Sequence, residues 1–187
     1  MAVNNAYYHC ITDTHFALNQ FLRDHPLVYV EADLLVYYVE SDPTKSVAPD
    51  VLVAFDRPPD LRRSFKVWEE DGAPDVIFEF ASEGTWRGDL GWKRGLYLGL
   101  GVREYFLFDP SGSYFDPLLQ GYQLVADNYH ALPSLTTRRG VRGLYSDLLS
   151  LEMLLEQSYH FLRVTDEAPR PHSTTLPHPA PPPYIAK

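Results

Sequence analysis

The chain holds one cysteine, Cys10, among 187 residues. A single cysteine excludes an internal disulfide and any zinc site of the multi-cysteine kind, and it fits a reducing compartment such as the cytoplasm. By itself Cys10 reads as a small, partly buried side chain. Nowhere is there an apolar run of the roughly 18 residues that a membrane span needs. Residues Met1 to Tyr8 lack the basic start and apolar core of a secretory signal. Cations are scarce: 16 Lys and Arg stand against 25 Asp and Glu, a formal net charge of −9. A field of that sign repels a polyanion, so contact with nucleic acid has to rest on local basic clusters. Two stretches qualify, Arg57, Arg62, Arg63 and Lys66, and Arg138, Arg139 and Arg142. Each is either a phosphate track or a solvated basic loop. The chain also has no Gly-x-Ser-x-Gly elbow, no Walker-type loop and no Gly-x-Gly-x-x-Gly turn, which removes three large enzyme classes.

What is present reads as one α/β (α+β) domain over residues 1–166, with a proline-rich tail over 167–187. Thr12 or Asp13 is placed to cap a helix through Arg23, which Pro26 ends. Leu27–Val30 and Leu34–Val39 read as strands, as do Val51–Phe55, Val76–Phe80 and Glu104–Phe108. A short element is expected around Phe65–Trp68 inside a charged loop. Asp89 to Leu100 has helical length, with Gly101 as its C-terminal stop. Tyr122–Val125 and Tyr129–Leu132 form a hairpin pattern, and Leu148–Leu162 is expected to be an amphipathic helix. Strands before and after a helix argue for a mixed sheet flanked by helices. The tail carries seven of the 16 prolines and cannot build a core, so it is expected to be extended or disordered. His172 and His178 within it are a weak metal signal.

Two acids are out of place. Asp50 in Pro49-Asp50-Val51-Leu52-Val53 and Glu79 in Val76-Ile77-Phe78-Glu79-Phe80 are attached to apolar strands. A carboxylate taken out of water shifts its pKa or finds a cation. Converging, the two would make an oxygen-rich site for a hard cation; otherwise they are solvated strand ends. Strand alternation puts Ile77 and Glu79 on one face, which is expected to open into a cleft. On the next helix, Asp89, Lys93 and Tyr97 are spaced by four and share a face. Lys93 is then either a site cation or a surface partner of Asp89. Gly91, Gly95 and Gly99 fall on roughly the opposite face, where missing side chains would allow close backbone approach.

In order and spacing, Pro49-Asp50, Pro74-Asp75-Val-Ile-Phe-Glu79-Phe-Ala-Ser82, Asp89-x-x-x-Lys93-x-x-x-Tyr97 and Gly101-Val102-x-Glu104-Tyr105-Phe106-x-x-Asp109-Pro110 resemble the Uma-two family of the PD-(D/E)XK restriction-endonuclease superfamily. The resemblance runs from about His15 to Asp166 and takes in the Gly121-Tyr122 hairpin and Ser146-x-x-Leu149. It implies a restriction-endonuclease-like core, a mixed β-sheet with flanking helices. It implies too that Asp50 is the first acid and Glu79 the second. The commonest superfamily pattern has a lysine two residues after that acid, where this chain has Ala81. The resemblance gives the role instead to Lys93, on the following helix, whose long side chain can reach back.

On this reading Asp50 and Glu79, with the Phe80 carbonyl, would hold Mg2+ or Mn2+. Lys93 would orient or help deprotonate the attacking water, with Asp89, Tyr97 and His15 in support. The implied substrate is DNA, and a homodimer would suit an enzyme that cuts two strands. A non-catalytic binding or assembly protein on the same fold competes with this reading, on the strength of the negative charge and of Ala81.

Overall fold

The computed structural model describes residues 5–137, 140–156 and 161–165. Helix α1 (Asn5–Leu22) leads into strands β1 (Val28–Ala32), β2 (Val36–Tyr37), β3 (Ser46–Val47), β4 (Val51–Phe55), β5 (Phe65–Lys66) and β6 (Val76–Phe80). A helical run follows, made of α2 (Trp86–Gly88), a π-helical turn (Asp89–Lys93) and α3 (Arg94–Leu100). Strands β7 (Glu104–Phe108), β8 (Leu119–Val125), β9 (Asn128–Ala131), β10 (Leu135–Thr136), β11 (Arg142–Ser146), β12 (Leu151–Glu156) and β13 (Phe161–Thr165) complete the described chain.

The central sheet runs β1-β4-β6-β7-β8-β9. Only β6 and β7 are parallel in it, and the helical run is the crossover between them. Side-chain alternation divides the sheet into two apolar faces. Val51, Val53, Phe78, Phe80, Phe106 and Phe108 pack against Cys10, Leu18 and Leu22 of α1 and against Leu144, Leu151 and Met153 of the second sheet. Leu52, Ala54, Ile77, Tyr105 and Leu107 pack the other way, against Tyr97 of the helical run and Val36, Val47 and Phe65 of the small β3-β2-β5 sheet. Gly101 ends α3 in the left-handed conformation at φ 82°, which glycine adopts without a Cβ clash.

Three expectations need correction. Helix α1 begins at Asn5, well before Thr12 and Asp13. The Thr12 hydroxyl caps nothing; it donates back to the carbonyls of Tyr8 and His9 one turn earlier. The expected helix over Leu148–Leu162 is a hairpin, β12 with β13, extended from β11 in a four-stranded sheet. Leu151 and Met153 are buried while Glu152 and Leu154 are half-buried, the period of two that a strand imposes. At Gly91, Gly95 and Gly99 an added Cβ would meet nothing within 4 Å, so no backbone approaches them closely. Arg138, Arg139, His172, His178 and the tail over 167–187 lie outside the described residues. Among the described residues, no helix is long and apolar enough to cross a membrane.

Candidate active site

The pairing of β4 with β6 sets Val51 opposite Phe78. Asp50 and Glu79 are the next residues along from that pair, on the face that carries Leu52 and Ile77. Each Asp50 oxygen has a donor: the Tyr7 hydroxyl to Oδ1 at 2.6 Å and the Phe80 backbone N–H to Oδ2 at 2.6 Å. Glu79 is 1% exposed, so the open cleft expected on its face is filled. Its Oε1 accepts from the Tyr97 hydroxyl at 2.6 Å, and its Oε2 lies 2.9 Å from Lys93 Nζ.

Lys93 comes from the helical run and bridges two acids, since its Nζ is also 2.9 Å from Asp89 Oδ1. Asp89 is fully buried, with Lys93 as its cationic partner and the Thr85 side chain as a second polar neighbour. The Tyr105 hydroxyl donates to the Asp89 backbone carbonyl at 2.8 Å and anchors the start of the π turn. The cluster thus sets three carboxylates against one ammonium. Burial pushes the pKa of Asp50, Glu79 and Asp89 up, and Lys93 draws each only partly back. Burial also pulls on the Lys93 ammonium, but Glu79 and Asp89 outweigh it and hold the group above the ordinary lysine range.

A hard divalent cation fits the chemistry of this donor set. The ligating atoms are all carboxylate oxygens, and a double positive charge would balance three carboxylates and one ammonium. Among the described residues, however, no three or more His, Cys, Asp or Glu side chains gather as a ready-made ligand set. A cation here would rest on Asp50 and Glu79, with further oxygens completing its shell.

Other expected residues are placed elsewhere. His15 Nε2 is 3.5 Å from Glu31 Oε1, beside a 290 Å3 cavity at the edge strand β1, and it touches neither Asp50 nor Glu79. Ala81 is buried and carries no charge to the cluster. Arg57 donates to the Phe55 carbonyl, Arg62 pairs with Glu70 and Lys66 with Glu69, so that stretch is largely bound within the protein. Tyr7 was not anticipated. It lies outside the motif stretches, and its role follows only from how α1 crosses the sheet end.

The fold matches a crystal structure titled as a "putative nuclease belonging to DUF820 from Anabaena variabilis ATCC 29413", with a TM-score of 0.52 at 12% identity over 74% of this chain and 75% of that one. At that identity the match shows the restriction-endonuclease-like fold alone. No curated protein matches the chain. The model of the Uma2 family, described as "Putative restriction endonuclease", matches residues 8–150, and the chain belongs to that family.

Proposed function

We propose that the chain is a metal-dependent endonuclease that hydrolyses phosphodiester bonds in DNA, with Asp50, Glu79 and Lys93 as its catalytic residues. One observation carries the reading: a lysine from the crossover helix reaches within 2.9 Å of Glu79, next to Asp50, at the end of the central sheet. Asp50 and Glu79 would hold Mg2+ or Mn2+, with the Phe80 carbonyl as a third oxygen. The cation, when bound, supplies charge neutralisation at the phosphate and acidifies water. Lys93 orients the attacking water and stabilises charge that builds on the phosphate oxygens. In the absence of a metal, Glu79 and Asp89 hold its ammonium above the ordinary lysine range. Asp89 positions Lys93 by the ion pair, and Tyr97 fixes the Glu79 carboxylate by its hydroxyl. Tyr7 does the same for Asp50.

The test is cleavage of plasmid and oligonucleotide DNA with Mg2+ or Mn2+, by the wild type, Asp50→Asn and Lys93→Met. Each variant is expected to lose about 100-fold or more in rate, the scale on which removing one electrostatic donor acts. Unchanged cleavage by either variant refutes the assignment. A wild type that binds Mg2+ but cuts no phosphodiester would favour an assembly role on the same fold.

A further inference from the structure

The helical run that delivers Lys93 has to be held in rotation as well as in position. In an ordinary helix neighbouring side chains stand about 100° apart around the axis. A turn through a fraction of that angle would carry the Lys93 ammonium off Glu79 and Asp89, each 2.9 Å away. Three tyrosines from consecutive strands meet the run: Tyr105 on β7, Tyr122 on β8 and Tyr129 on β9. Tyr105 and Tyr122 are directly opposite each other in the β7–β8 pair. Their rings stack at 6.4 Å, and each lies 6.2 Å from the Tyr129 ring.

Each tyrosine holds the run at a different point. The Tyr105 hydroxyl donates to the Asp89 carbonyl, where the π turn begins. The Tyr129 hydroxyl donates at 2.9 Å to the carbonyl of Val102, just past the end of α3. Tyr122 offers its ring face instead, and the Arg94 guanidinium lies 4.0 Å from the ring centroid. Arg94 is the residue on which the π turn ends and α3 begins. It is half-buried, and among the described residues it forms no ion pair, whereas Arg62, Lys66, Lys93 and Arg103 are all paired with acids. Its charge is felt within the cluster: burial pushes the Tyr129 hydroxyl pKa up, and Arg94 draws it partly back. The two hydroxyl contacts fix backbone carbonyls near the ends of the run. Arg94, next in the chain to Lys93, holds the stretch between them by a side chain whose contact with the sheet is independent of the carboxylates.

We propose that Arg94 is a positioning residue for Lys93, its cation–π contact with Tyr122 fixing the rotation of the π turn so that the ammonium faces Glu79. The inference rests on the cleavage reading for the role of Lys93 and adds a residue that acts through it. What Tyr122 supplies is the face of its ring, to which a guanidinium is attracted by the ring quadrupole, and not its hydroxyl. That hydroxyl is engaged elsewhere, donating to Gln120 Oε1 at 2.8 Å.

The experiment compares Arg94→Met, Tyr122→Leu, Tyr122→Phe and the Arg94→Met/Tyr122→Leu double variant, each as the full chain and well below its melting temperature. Steady-state cleavage of an oligonucleotide with Mn2+ should show kcat lowered about 2- to 30-fold in Arg94→Met and in Tyr122→Leu, with KM unchanged. That range is a cation–π contact of about 0.5–2 kcal/mol converted at about 1.36 kcal/mol per tenfold. The double variant should be no slower than the slower single one, and Tyr122→Phe, which keeps the ring face, should retain the wild-type kcat. A second readout needs no turnover. The Lys93 ammonium, identified in proton–nitrogen correlation NMR by its absence from Lys93→Met, should shift in Arg94→Met and Tyr122→Leu but not in Tyr122→Phe. An ammonium resonance that stays in place in Arg94→Met overturns the proposal, even if the variant melts lower. So does a raised KM at unchanged kcat, the mark of a guanidinium on a phosphate, or a loss in Tyr122→Phe equal to that in Tyr122→Leu. The two readings separate cleanly. A wild type that cuts nothing while the resonance shifts as described overturns the cleavage reading alone. A protein that loses cutting in Lys93→Met, while Arg94→Met keeps both kcat and the resonance, overturns this one alone.

Discussion

Replacing Lys93 by methionine keeps most of the side-chain volume and removes the only ammonium of a cluster that holds three carboxylates. Two of them, on Glu79 and Asp89, are at most 1% exposed and each lies 2.9 Å from Nζ. At an effective dielectric of about 20, two unit charges about 4 Å apart attract by ~4 kcal/mol before desolvation is counted. Breaking a buried pair by removing one partner costs about 3–5 kcal/mol in practice. For a chain of this size each kcal/mol shifts Tm by about 2–4 °C, so the variant should melt roughly 6–20 °C lower. The loss should depend on pH with a definite sign. Burial already raises both acids above their unfolded values, and losing Lys93 raises them further. The folded state then binds more protons than the unfolded one, so stability falls as pH rises between the unfolded and folded pKa values. Circular-dichroism melts should therefore show a large deficit near pH ~8 that shrinks towards pH ~5, where Glu79, pushed up to about 8, is protonated. A deficit under about 2 °C near pH ~8, or one equal at both pH values, would refute the view that these groups are coupled through Lys93.

Millimolar Mg2+ or Mn2+ should raise the Tm of the wild type more near pH ~8 than near pH ~5, because the raised carboxyls of Asp50 and Glu79 must lose protons to take a cation. Calorimetry should show the shift abolished in Asp50→Asn; an equal shift in that variant places the ion elsewhere. Tyr7→Phe removes the Asp50 Oδ1 donor and should cost about 1.5–3 kcal/mol in urea unfolding at unchanged m-value, and no loss means that water replaces the hydroxyl. Gly143→Ala puts a Cβ 2.3 Å from the Met153 carbonyl oxygen, a backbone atom that cannot turn aside, and should cost about 1–3 kcal/mol. Gly91→Ala, with nothing within 4 Å, should be neutral or gain about 0.5–1 kcal/mol, and a reversed order of the two melts would contradict the packing described.

The strands of the central sheet are legible where an apolar run ends at residues that cannot continue it. Val51–Phe55 is bounded by Pro49-Asp50 and Asp56-Arg57-Pro58, and the observed β4 has the same limits. The segment Leu148-Leu149-Ser150-Leu151-Glu152-Met153-Leu154-Leu155 is not, because its apolar residues satisfy helical and strand spacing alike. What decides it is non-local: Met153 pairs with Leu144 on β11, and both enter the core that α1 closes. The start of α1 is hidden for a related reason. The helix extends to Asn5 rather than starting near Thr12, because Tyr7 and Cys10 have a sheet to pack on.

At the site, sequence spacing brings Asp89, Lys93 and Tyr97 to one helical face but says nothing of how three such residues stay aligned. In a straight α-helix a step of four residues overshoots a full turn by about 40°, so Tyr97 would stand about 80° around from Asp89. The turn from Asp89 to Lys93 is π-helical, with more residues per turn, and it takes up much of that drift. The consequence is visible in the contacts: Lys93 reaches Asp89 and Glu79 together, and Tyr97 reaches Glu79 one turn later. A lysine at position 81 would need none of this, being carried by the chain just past the second acid. Moving the cation to the crossover helix makes its placement depend on helical phase, and the π turn, anchored by the Tyr105 hydroxyl at the Asp89 carbonyl, is the feature that sets that phase.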